Sequence, residues 1–104
     1  MPQPNHPKIS ADDTICQSTD PVAANLDGEV ALMSITTGKY YCLNETSSRI
    51  WQLVEQPRRV RDVCQILLHE YADVEPLQLE AAVLGHVTEL ANENLVRVNH
   101  AAAA

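Results

Sequence analysis

At Asn44 the spacing of apolar residues changes period, and that change constrains the fold more than any other feature. Before it, Val30-Ala31-Leu32-Met33-Ser34-Ile35, the loop Thr36-Thr37-Gly38 and Lys39-Tyr40-Tyr41-Cys42-Leu43 alternate as a half-buried hairpin does. After it, Ile50, Leu53 and Val54 recur at helical spacing, and the hairpin period does not return until the chain's end. A chain that spends its first half in period two and its second in period 3.6 is bound to stack a small sheet on helices.

The strand half holds three further signals. Residues 14–19 and 22–26 are extended candidates separated by Asp20-Pro21, and Asp27-Gly28 is a hairpin turn pair. In the 39–43 strand, Tyr41 and Leu43 share a face, and Lys39 must reach water, so the Tyr41/Leu43 face is the one expected to pack inward. The helical half divides at prolines. Asn44 is a suitable N-cap for a helix that Pro57 ends; Val60, Val63, Ile66, Leu67 and Tyr71 mark a second helix reaching about Ala72. Pro76 suits the first turn of a third, whose stripe is Val83, Leu84, Val87, Leu90 and Ala91, and Asn94 suits the left-handed residue after it. Residues 95–98 form a short apolar tail fit for a rudimentary wing strand. The expected architecture is α+β: a three-stranded antiparallel sheet followed by three helices, winged-helix-like. A single domain over 9–98 is expected, with a flexible lead at 1–8 and a flexible tail at 99–104.

Catalytic apparatus is hard to find in this chain. His6, His69, His86 and His100 are scattered, and the His69-Glu70 pair lacks the second histidine of a zinc-protease helix because position 73 is Asp. No metal site is expected. Three cysteines, Cys16, Cys42 and Cys64, lie far apart without a CxxC pair, which fits reduced thiols and a cytoplasmic setting. The glycines at 28, 38 and 85 make no phosphate loop. Seven basic residues stand against fourteen acidic ones, a formal charge of −7, and residues 77–94 contain no Lys or Arg. A winged-helix DNA-binding protein, which shares this order of elements, is therefore the weaker reading. Trp51, beside the Ile50/Leu53/Val54 stripe, is expected to pack rather than to bind, and Arg58-Arg59-Val60-Arg61 to be a solvated charge cluster.

Taken in order, DGEVALMSITTGKYYCLNETSSRIWQLVEQP, VRDVCQILLHEYADV and LEAAVLGHVTELANENLV resemble the PqqD-like family over about residues 12–98. That family comprises peptide chaperones of pyrroloquinoline quinone synthesis and the recognition elements of other ribosomally made, modified peptides, lasso-peptide pathways included. The pieces that carry the resemblance are the Gly-Lys-Tyr-Tyr hairpin, the Leu43-Asn44 step, the Ile50-Trp51 pair and Leu95-Val96 after the third helix. It implies a non-catalytic protein without a cofactor, which captures a precursor's leader as an added strand and presents it to a separate enzyme.

Carried onto this chain, the resemblance makes residues 39–43 (Lys39, Tyr40, Tyr41, Cys42, Leu43) the receiving strand and the third helix its facing wall. Periodicity then proposes Tyr40, Cys42, Val83, His86, Val87 and Leu90 as pocket residues, with Val87 and Leu90 serving equally well as core. The hairpin and the spacing from Ile50-Trp51 to Gln56-Pro57 are closer to lasso-peptide members, whose partner would be a leader peptidase of the cysteine-protease type. The alternative is a chaperone of the quinone pathway, partnered by a radical enzyme. Three positions depart from the family pattern: Ser47 stands where many relatives have Gly, Ala82 where an acid is common, and Arg59 at the cap of the second helix.

Overall fold

The computed structural model describes residues 8–71 and 73–101. Residues 1–7 of the expected 1–8 lead, residues 102–104 of the expected tail and the Ala72 end of the second helix lie outside the described residues. The α+β expectation holds, with the strands distributed over two antiparallel sheets.

The first sheet is built from β2 (Pro21–Leu26), β3 (Glu29–Ser34) and β4 (Tyr40–Cys42), in that order. Asp27 and Gly28 join β2 to β3 with φ of 55° and 92°, so both central residues adopt the left-handed conformation that a primed hairpin turn requires. The β3–β4 loop is held from outside the hairpin. The Asp20 carboxylate accepts from the Ser34 hydroxyl at 2.6 Å and from the N–H and hydroxyl of Thr36 at 3.1 and 2.8 Å. These bonds, the Ser34 hydroxyl's foremost, hold the Asp20 carboxyl below the usual carboxylate range.

The second sheet was not foreseen. Its central strand, β1 (Thr14–Gln17), lies between β5 (Arg58–Arg59) and β6 (Val96–Asn99). The wing strand expected near residues 95–98 is β6, and it pairs with β1 from Thr14↔Asn99 to Gln17↔Val96. The Arg58-Arg59 connection, expected as a solvated cluster, is extended and pairs with Ile15 and Thr14. His100 and Ala101 stay tied beyond β6, because Asp13 accepts from the His100 ring and the Ala101 N–H.

Of the helices α1 (Glu45–Leu53), α2 (Val60–Glu70) and α3 (Pro76–Asn92), α1 packs on β3, α2 on β5 and α3 on β6, with α3 also against both other helices. The Asn44 side chain accepts the Ser47 N–H at 2.8 Å, which makes it the N-cap expected of it. Pro76 opens α3, and Asn94, at φ 61°, turns the chain after it so that the Leu95 N–H closes on the Leu90 carbonyl at 2.9 Å. The innermost side chains, among them Ile15, Leu32, Ile50, Val60, Leu67, Val83 and Val87, come from both sheets and all three helices. Trp51 is buried among them, its indole nitrogen without a protein partner among the described residues. No described helix is long and apolar enough to cross a membrane.

Candidate functional site

Strand β4 is the last of its sheet, so one of its edges is unpaired among the described residues. Which backbone groups that edge offers follows from the ladder. The Ser34 N–H bonds to the Lys39 carbonyl and the Leu43 N–H to the Val30 carbonyl, each at 2.9 Å. Bonded pairs alternate in an antiparallel ladder, so the pair between these two, Leu32↔Tyr41, also turns its polar groups inward. The N–H and C=O of Tyr40 and Cys42 therefore face outward. Among the described residues they form a short row of free donors and acceptors.

Opposite this edge stands α3. Strand and helix enclose a groove of about 330 Å³ lined by Tyr41, Cys42, Leu43, Asn44, Ser47, His86, Glu89, Leu90, Glu93 and Leu95. Three contacts fix its shape. The Tyr41 hydroxyl donates to Glu93 Oε1 at 2.9 Å, tying β4 to the C-terminal end of α3. Partial burial and then the Glu93 carboxylate raise the Tyr41 phenol above its ordinary pKa, so it stays a donor. Lys39 Nζ lies 3.8 Å from the same carboxylate. At the other end, Ser47 Oγ and His86 Nδ1 are 2.7 Å apart, joining α1 to α3 across the floor. Beyond the Tyr41–Glu93 tie a second hollow of about 350 Å³ continues along the loop, lined by polar residues that include Asp20, Thr36, Lys39 and Asn94.

The residues proposed from sequence fall into three places. Tyr41, Cys42, Leu43, His86 and Leu90 line the groove. Lys39 is solvent-facing at its mouth, and Tyr40, 77% exposed, lies on the outer face of the sheet opposite Met33. Val83 and Val87 are packed in the core beneath the wall, at 0% and 1% exposure, and do not line the groove. The wall is instead the stripe His86, Glu89, Leu90 and Glu93, about one helical turn further on. Sequence reasoning missed Ser47, Glu89 and Glu93. The available signal was that 89 and 93 follow His86 at i+3 and i+7, on one helix face. Among the described residues, no group of three His, Cys, Asp or Glu side chains could hold a metal ion.

Comparison with known proteins gives two kinds of match. The family model for coenzyme PQQ synthesis protein D (PqqD) matches residues 29–96. Among solved structures, TbiB1 in complex with the TbiA(beta) leader peptide is similar with a TM-score of 0.73 and 32% identity, over 79% of this chain and 94% of that one. Lasso peptide synthetase B1 complexed with the leader peptide is similar with a TM-score of 0.71 and 26% identity, over 80% of this chain and 96% of that one. No curated protein matches the sequence.

Proposed function

The chain belongs to the PqqD family, and on that premise we propose that it is a non-catalytic leader-peptide-binding protein of lasso-peptide biosynthesis. The observation that carries this reading is the open edge of β4 facing a groove-lining stripe of α3. A strand edge satisfies an incoming backbone without regard to sequence, and a side-chain groove beside it supplies selection. Both solved neighbours were determined with a leader peptide bound.

A leader strand added beside β4 would bond to the outward N–H and C=O of Tyr40 and Cys42. Its alternate side chains would then fall beside Tyr41 and Leu43, in the groove against α3. Lys39, Tyr40, Tyr41, Cys42, Leu43, His86 and Leu90 serve as the peptide-binding residues, with Val83 and Val87 supporting the wall from within. The partner that acts on the held precursor is a leader peptidase of the cysteine-protease type. Titrating the cognate leader peptide into the folded protein is the direct test. Saturable binding at one peptide per chain is expected; a folded protein with no saturable binding overturns the reading.

A further inference from the structure

We propose that Ser47 and His86 are the specificity element of the groove, presenting one fixed imidazole N–H to a neutral oxygen acceptor on a leader side chain; this rests on the leader-binding reading above. Ser47 is 8% exposed and stands in the first turn of α1, where its N–H is already given to Asn44. A buried hydroxyl proton needs an acceptor. Among the described residues the one polar partner of Ser47 Oγ is His86 Nδ1, at 2.7 Å. In this assignment the hydroxyl donates to Nδ1 and the ring proton sits on Nε2.

The position of the ring decides what it reads. His86 lines the β4–α3 groove and also an apolar hollow on the other side, where Tyr71, Val74, Leu79 and Ala82 are its neighbours. Tyr41 and Glu93 are hydrogen-bonded to each other, and so are Ser47 and His86, all four lining the groove; the peptide side chain proposed to reach His86 is the one beside Leu43, two residues on from Tyr41. Glu89 lines the same groove and disfavours a carboxylate there. The side chain selected is therefore the carboxamide of Asn or Gln, or the hydroxyl of Ser or Thr. A leader lacking it leaves the Nε2–H unpaired as the groove closes.

Two measurements test this on the full-length protein. The first needs no peptide: nitrogen NMR of the His86 ring is expected to show the Nε2-protonated tautomer in the wild type and a mixture in Ser47→Ala. An Nδ1-protonated ring in the wild type overturns the proposal. The second is selection from a displayed library of randomised peptides by wild type, His86→Leu and His86→Gln, each first shown to be folded. Wild type should enrich Asn, Gln, Ser or Thr at one fixed position, His86→Leu should enrich apolar residues there, and His86→Gln, which restores an N–H, should keep the wild-type preference. A synthetic peptide of the wild-type consensus should bind His86→Leu about tenfold more weakly and His86→Gln nearly as well as wild type. The same positional profile with wild type and His86→Leu overturns the specificity role while leaving the groove intact. Failure of folded wild type to enrich any peptide overturns the leader-binding reading, and the proposal falls with it.

Discussion

Ser48 accepts the Val30 N–H at 2.8 Å, and the same hydroxyl donates to the Leu43 carbonyl at 3.2 Å. A side chain of α1 thus stands in for a rung of the ladder where β4 runs into the helix. Ser48 is 1% exposed, so its hydroxyl makes these bonds in the buried interior. Ser48→Ala should cost about 1–3 kcal/mol by leaving a buried N–H unpaired. Urea unfolding monitored by the Trp51 fluorescence measures this directly, and an unchanged midpoint would contradict the assigned role.

Asn44 does a related task one turn earlier. Its side chain caps α1 through the Ser47 N–H, and the residue also lines the groove. Asn44→Ala should cost about 1 kcal/mol, and Asn44→Asp should retain most of the stability because a carboxylate caps equally well. The pair of variants, compared by thermal melting, separates loss of the cap from loss of groove shape.

Asp13 gives the fold a dependence on acid. Burial pushes its carboxyl upward, but the N–H groups of Ser10 and Ala101 and the His100 ring outweigh burial, so the pKa lies below the ordinary range. The folded carboxyl thus holds its proton less readily than the unfolded one. Its stabilisation is complete above the ordinary aspartate pKa and disappears as pH falls through the lowered folded value. Hydrogen exchange at the Ala101 amide should accelerate over that acid window in the wild type. In Asp13→Asn the exchange should already be fast at neutral pH and should lose that additional acid-dependent step.

How much of this was legible beforehand depends on range. The change of period at Asn44, the Asp27-Gly28 turn and the Asn94 helix end are local, and each follows from residues within a few positions of one another. The second sheet is not local. Thr14 pairs with Asn99 and with Arg59, and a two-residue strand such as Arg58–Arg59 is too short to show any alternation. The groove divided the same way. The family resemblance named residues 39–43 as the receiving strand, but a helical stripe repeats every turn, so Val83, Val87 and Leu90 look alike in sequence. Only the placement of α3 against β4 shows that His86, Glu89 and Glu93 stand at the opening while Val83 and Val87 are interior. The Ser47–His86 contact joins residues 39 positions apart and has no sequence signature.

The direction of the β4 backbone yields the most discriminating prediction. Proline at either position 41 or 42 removes one N–H, but the two N–H groups face opposite ways. That of Tyr41 turns toward β3, within the ladder flanked by the Ser34–Lys39 and Val30–Leu43 bonds, so Tyr41→Pro should damage the sheet itself. That of Cys42 faces the open edge, where no bond of the free protein is lost, and Cys42→Pro should weaken leader binding with little change in unfolding midpoint. Cys42→Ala, which keeps the N–H and removes the thiol, should bind nearly as the wild type does. Peptide titration and thermal unfolding of the three variants side by side check the assignment. If Cys42→Pro binds as tightly as Cys42→Ala, the leader does not pair with the β4 edge.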